Sequence, residues 1–236
     1  MEALRRYSWA MQAKLQRQQT NTDARRALVL DAARSVFAEA GIEGASIREI
    51  AKKAGYTPGA IYSYFDSKEA IYGALLGESL ERLNQSVVQA KTHKNKPDKT
   101  LEARAQAWFG FYAAHPRDLD LGFYLVRGLK PRGLTQALNN QLNQRLLDAL
   151  RPCEAALQDL GLPPADALRE SSALFAHGVG LLLLAHTGRI RLFGQTAQGL
   201  FGAYLAQLVA RCAAGKGTEL ADQVGAADAS QADLFS

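Results

Sequence analysis

Between residues 41 and 69 the chain is punctuated so closely that only short helices fit. Gly41 is placed to end a helix, and Ser46-Ile47-Arg48-Glu49 has the spacing of a capping box. In that motif the serine oxygen accepts from the backbone three residues on, and the glutamate reaches back. Gly55 stops the second helix after about two turns, with Ile47, Ile50, Ala51 and Ala54 as its apolar face. Thr57-Pro58 restarts the chain, since threonine caps well and proline at the first helical position loses no needed N–H. Asp66-Ser67-Lys68-Glu69 then caps a fourth helix, which runs long until Lys94-Asn95-Lys96-Pro97-Asp98 breaks it.

A longer helix precedes this region. Thr22 or Asp23 is a suitable N-cap for it, and Ala27, Leu30, Ala33, Val36, Phe37 and Ala40 form one face. Two short helices joined by a four-residue turn containing glycine, packed on a longer helix, are the signature of a helix-turn-helix. The second of the pair is the one placed to reach base edges in the major groove. In the rest of the chain apolar residues recur at three and four, with no strand-like alternation, so the expected fold is all-α. A 236-residue chain that is 47% hydrophobic and 22% charged can build a real core, which excludes collagen-like, disordered and disulfide-stapled classes.

The run Ala54-Gly55 … Gly59-Ala60-Ile61-Tyr62-Ser63-Tyr64-Phe65-Asp66-Ser67-Lys68-Glu69, with Phe37, Gly41, Ser46, Ile47, Ile50 and Ala51 before it, resembles the DNA-binding end of TetR-type transcriptional regulators over about residues 22–75. The resemblance implies that Ser46 and Arg48 touch the phosphate backbone and that Thr57, Pro58, Gly59 and Ala60 face the major groove. It also implies that Tyr62 and Tyr64 donate to phosphates and that Lys68 adds a charge-assisted contact at the positive end of its helix. Tyr56, Pro58 and Ala60 depart from the common pattern. Ala60 can pack on a thymine methyl but cannot hydrogen-bond a base, so direct readout is expected to be sparse. Phe65 is read as core, Lys52 and Lys53 as a solvated face with Glu49, and Arg25, Arg26 and the N-terminal arm as candidates for nonspecific attraction to DNA.

Charge is unevenly placed. Of the net +5, residues 1–68 hold 11 Lys and Arg against 7 Asp and Glu, whereas residues 216–233 set Lys216 against Glu219, Asp222, Asp228 and Asp233. The N-terminal excess suits a polyanionic partner. Residues 1–21, with Leu4, Tyr7, Met11 and Leu15 on one side, read as an arm or a short helix. Cys153 and Cys212 lack metal-site spacing and fit a reducing, cytoplasmic compartment. No signal peptide is expected, and the apolar stretch Ala173–Ala185 is shorter than a bilayer requires, so no membrane partner is expected either. His93, His115, His177 and His186 form no catalytic or metal constellation, and no glycine-rich phosphate loop occurs; the chain is read as a non-enzyme without cofactor or metal.

The organisation expected is therefore an N-terminal arm (1–21), a three-helix helix-turn-helix domain (22–68), a larger helical ligand-binding and dimerisation domain (69–214) and an acidic tail (215–236). Within the larger domain Trp108, Phe111, Tyr112 and His115 share a helical face, and with Phe123, Tyr124 and Arg127 they make an apolar ligand site with few polar anchors plausible. Leu134, Leu138, Leu142, Leu146 and Leu150 form an apparent seam on a further helix. Two last helices, carrying Phe175, Gly178, Leu181, Leu182 and Ala185 and then Gly202, Tyr204 and Leu208, are apolar around most of their circumference, which suggests a homodimer interface or, alternatively, the centre of the monomer. The resemblance implies a homodimeric repressor that leaves double-stranded operator DNA on binding a small-molecule effector. The alternative is a helical DNA-binding or protein-interaction module without such control.

Overall fold

The computed structural model describes residues 2–123 and 135–215. The elements are α1 (Glu2–Gly44), α2 (Ile47–Ala54), α3 (Pro58–Tyr62), α4 (Lys68–Val88), α5 (Pro97–Ala114), α6 (Pro116–Phe123), α7 (Gln136–Asp159), α8 (Pro164–His186) and α9 (Ala197–Ala213), with a 3-10 turn at Arg189–Phe193. Among the described residues there is no strand. Proline stands at the first position of α3, α5, α6 and α8, where its fixed φ suits helix entry. Gly188 and Gly194, at φ 72° and 61°, bracket the 3-10 turn.

The expected helix start at Thr22 or Asp23 is not used. α1 runs through it, and the Thr20 and Thr22 hydroxyls donate to carbonyls four residues back (Gln16 O, 2.9 Å; Gln18 O, 3.0 Å) instead of capping a new helix. The residues upstream are good helix formers, so the backbone continues where a cap was available. The helical run of α1 breaks at Gly41, with φ 69° and ψ 173°.

The chain divides into two compact units. The first holds the residues through Ser79 together with Arg117–Leu142; the second holds Leu80–Pro116 and the residues from Asn143 onward. Both α4 and α7 begin in the first and end in the second. In the first unit Val29, Ala33, Ile50, Ala51, Ile61 and Ile71 are fully buried. Phe37 meets Tyr72 edge-on, with ring centroids 6.0 Å apart, and the Tyr72 hydroxyl donates to the Leu121 carbonyl of α6.

The second unit is held by α5 against α8 and α9. Phe109 stacks on Phe201 at 4.2 Å, and Trp108 meets Tyr112 and Phe175 edge-on at 5.4 and 5.3 Å. Arg211 on α9 pairs with Glu170 on α8 at 3.1 Å. On α7 the leucine seam is not the buried face: Leu142 is buried, but further along it is Ala149, Cys153, Ala156 and Leu157 that face inward. A step of four residues advances about 40° around a helix of 3.6 residues per turn, so five leucines at that spacing rotate out of the core. Leu134, the first of them, lies outside the described residues.

The stretch judged too short to span a bilayer belongs to a longer helix. α8 has 23 residues and is, by length and composition, long and apolar enough to cross one. It also carries Asp166, Arg169 and Glu170 in its first two turns and buries Leu174, Gly178, Leu181 and Leu182 within the unit.

Burial pushes the Cys153 thiol up to about 12, opposed by the Arg104 charge, and burial also raises Cys212. Unfolded thiols ionise near 9, whereas folded Cys153 keeps its proton well above that pH and Cys212 is shifted in the same direction. Above that pH the unfolded state binds fewer protons, and stability is lost as pH rises. We expect a lower urea midpoint at pH 10 than at pH 8, with a smaller fall in the Cys153→Ala, Cys212→Ala variant; an equal fall in both proteins would assign it to other groups.

Candidate nucleic-acid interface

The turn between α2 and α3 is built by local hydrogen bonds. Ser46 caps α2: its Oγ accepts from Glu49 N at 3.2 Å, while the Glu49 carboxylate accepts from Ser46 N at 2.9 Å and from its hydroxyl at 2.8 Å. Both capping-box contacts are present, so the Ser46 hydroxyl proton is already committed to Glu49. Gly55 closes α2 at φ 73°, ψ 26°, the left-handed conformation that glycine adopts without a Cβ penalty. Thr57 Oγ1 then accepts from Ala60 N at 3.3 Å, and Pro58 opens α3.

Arg48, Thr57, Pro58 and Gly59 are exposed, Ala60 is half-buried, and Tyr62 is 56% exposed. Ile61 and Phe65 point inward, as expected for Phe65. Tyr64 is half-buried and belongs to a junction with α1. Arg26 donates to the Tyr64 carbonyl at 2.8 Å and lies 4.2 Å over the Phe65 ring, while the Arg25 guanidinium is 3.5 Å from the Tyr64 hydroxyl. That hydroxyl, the largest cause, raises the Arg25 pKa further. Arg26 is therefore a clamp between α1 and the segment after α3. That role spans 38 positions and has no local sequence signal.

Lys68 differs from the expectation of a plain phosphate contact. Its Nζ donates to the Ala45 carbonyl at 3.1 Å, tying the start of α4 to the backbone two residues before α2. Lys53 pairs with Glu39 on α1 at 2.9 Å, not with Glu49, which the Ser46 cap has taken; the pair holds the Glu39 carboxyl below its usual range.

The other expected sites divide. Trp108, Phe111 and Tyr112 are buried together in the second unit, while His115 is exposed at the end of α5, its ring 5.0 Å from Phe111. Phe123 falls in the first unit; Tyr124 and Arg127 lie outside the described residues. Of the expected dimer contacts, Gly178, Leu181, Leu182 and Leu208 are buried inside the chain's own second unit. A Cβ on Gly178 would stand 2.6 Å from Trp108 Cζ3, so the small residue there serves packing on α5 within the chain. Phe175, Gly202 and Tyr204 are half-buried, Tyr204 stacked on His177 at 4.3 Å, and Ala185 is exposed. What the two helices turn outward is a different face: Leu168, Ser172, Ala176, Gly180 and Leu183 on α8, and Gly199, Ala203, Ala206 and Ala210 on α9.

A capped two-helix unit with an exposed second helix, set on a longer helix, defines a helix-turn-helix protein. Residues 29–75 match the model of the family described as bacterial regulatory proteins, tetR family. It is 39% identical over 64 residues to the HTH-type transcriptional regulator UidR of Escherichia coli K12, covering 27% of this chain and 33% of that protein. It is 37% identical over 70 residues to the HTH-type transcriptional repressor AcnR of Corynebacterium diphtheriae, covering 30% and 37%. It is 35% identical over 89 residues to the HTH-type transcriptional activator FasR of Mycolicibacterium smegmatis, covering 38% and 41%. The matched stretch thus spans about a third to two-fifths of these relatives. The fold is similar to a TetR-like transcriptional regulator from Rhodococcus sp. RHA1, with TM-score 0.61 and 20% identity over 81% of this chain and 97% of that one. It is also similar to the TetR family regulator PfmR from Thermus thermophilus, with TM-score 0.57 and 19% identity over 78% and 97%.

Proposed function

We propose that the protein is a sequence-specific, DNA-binding transcriptional regulator acting in the cytoplasm as a homodimer, a repressor released from its operator by a small molecule, and not an enzyme. The observation that carries this is the capped α2–α3 pair, with Arg48, Thr57 and Tyr62 each exposed. Arg48 and the Tyr62 hydroxyl hold the duplex by its phosphates, while Thr57, Pro58, Gly59 and Ala60 lie against base edges. Ser46 reaches a phosphate only by turning its proton away from Glu49, and Lys68 positions the head through Ala45 as well as adding charge.

The dimer forms through the outward faces of α8 and α9. Leu168, 52% exposed, and Leu183, 37% exposed, are spaced along α8 with small residues between them, and a self-complementary pairing would bury them. The aromatic set around Trp108 supports an effector site in the second unit, since Trp108 Nε1 is buried with no hydrogen-bond partner among the described residues. Release follows from population shift: the effector binds the dimer better in the arrangement whose reading heads do not match one DNA turn, about 34–36 Å. Equal affinity for both arrangements moves nothing.

Fragments retained by the protein from a pool of sheared genomic DNA supply the operator. Arg48→Ala is expected to lower affinity for operator and nonspecific DNA alike and to reduce the slope of log K against log salt by about one. Tyr62→Phe is expected to lower both affinities by a common factor with the slope kept. Unchanged affinity in both variants would refute the phosphate assignments. A dimer that stays on the operator at saturation with every compound it binds would refute release.

A further inference from the structure

The part of α1 that precedes the reading head has no role in the function just proposed. Its described side chains from Trp9 to Arg25 are exposed. It is helical because Met11-Gln12-Ala13-Lys14-Leu15-Gln16-Arg17-Gln18-Gln19 are good helix formers and because the packed turns from Val29 to Phe37 supply the costly nucleus from which the helix propagates.

Lys14, Gln18, Asn21 and Arg25 recur at steps of four, three and four and so share one face of this helix, with Arg17 beside them. Each of these side chains ends in N–H donors. Asp23 is the one carboxylate between residues 9 and 26. It belongs to the opposite face, where it accepts from Gln19 at 3.0 Å. The stripe ends at Arg25, 3.5 Å from the Tyr64 hydroxyl, so it starts beside the segment that follows α3 and continues away from it.

We propose that this stripe is a second DNA-binding element, which follows the phosphate backbone of the duplex outside the segment read by α3. The inference rests on the reading of the head as DNA-binding. Three cations and two amides within about 17 Å of helix, with no acid among them, match a polymer that carries one negative charge per about 1.7 Å; a second copy of the same stripe would be repelled. From Arg25 to Trp9 the helix is about 24 Å long, the rise of about seven base pairs.

The test uses the full chain and two duplexes: the shortest genomic fragment the protein retains, and the same fragment with ten native base pairs on each side. On the longer duplex Lys14→Ala, Arg17→Ala is expected to reduce the slope of log K against log salt by about two, at about 0.9 per phosphate. On the trimmed duplex it is expected to bind as the wild type does. Alanine raises helix propensity at both positions, and circular dichroism checks that the helix is kept. An iron chelate attached at Gln18→Cys reports position, since Cys153 and Cys212 are buried and their thiols are held protonated. Strand cleavage within about seven base pairs outside the core supports the proposal. Equal slopes on both duplexes, or no flank cleavage while the fragment stays bound, overturns it. If the wild type retains no fragment at all, the DNA-binding reading fails first and the proposal with it.

Discussion

Trp108→Ala is expected to cost about 3–5 kcal/mol of unfolding free energy, measured as a lower urea midpoint with an unchanged slope. Trp108 is 2% exposed and meets Tyr112 and Phe175 edge-on, and α8 approaches it so closely that position 178 has no room for a methyl group. Removing the indole leaves a hole that rings fixed on two helices cannot fill. A loss under about 1 kcal/mol would instead mean that the indole is loosely packed. The neighbouring glycine gives an independent check. An added Cβ at Gly178 falls 2.6 Å from Trp108 Cζ3 and 3.2 Å from Phe201 Cε2. Gly178→Ala should destabilise through overpacking of about 1–3 kcal/mol, partly offset by alanine's better helix propensity. In Trp108→Phe the indole atoms that clash are absent, so the double variant should be more stable than the two single losses predict. Strict additivity would place Gly178 away from the indole.

Arg26→Met is expected to weaken operator binding by about tenfold or more without changing its salt dependence. Arg26 holds the Tyr64 carbonyl at 2.8 Å and covers Phe65. A charged hydrogen bond of this kind together with a cation–π contact is worth about 1–3 kcal/mol, and about 1.4 kcal/mol is a factor of ten in affinity. The reading helix α3 has five residues, too few to hold its own orientation, so it depends on what is packed around it. Methionine keeps the apolar stem over Phe65 and loses the donor. Arg48→Ala and Arg26→Met thus separate by salt: the first lowers the slope because a phosphate contact is gone, and the second keeps it because only positioning is lost. A lowered slope for Arg26→Met would make it a DNA contact itself.

The relatives bear on the sign of regulation. Proteins similar over the reading head include one named a repressor and one named an activator, so this segment does not fix the sign of regulation. Repression is decided by where the operator lies relative to the promoter, which the genomic selection reads directly.

The turn of the reading head was legible in the sequence because each of its parts is a contact over three or four residues. Ser46 with Glu49, Gly55 in the left-handed conformation, and Thr57 with Pro58 all stand as their spacing implies. Local chemistry closes these contacts whatever the rest of the chain does. The same kind of signal at Thr22 and Asp23 failed, because a cap acts only where the chain before it leaves the helix, and residues 9–21 continue it. Pairings over long separations carried no signal. Lys68 with Ala45, Lys53 with Glu39 and Arg26 with Tyr64 lie 23, 14 and 38 positions apart, and nothing at either end of such a pair marks the other.

By itself, then, the sequence determined that the described chain is built of helices, that it carries a capped reading head, and that its positive charge gathers near the head. Tertiary structure alone decided which half of an all-round apolar helix faces inward. Gly178, Leu181, Leu182 and Leu208 look as suitable for a partner as Leu168, Ala176 and Leu183 do, but the first set is buried, Gly178 against Trp108 of α5, and the second is left outside. Helical periodicity ranks the faces of a helix only when they differ in polarity. Where they do not, shape complementarity with the neighbouring helix selects the buried face, and here the glycine at 178 and the indole at 108 make that selection.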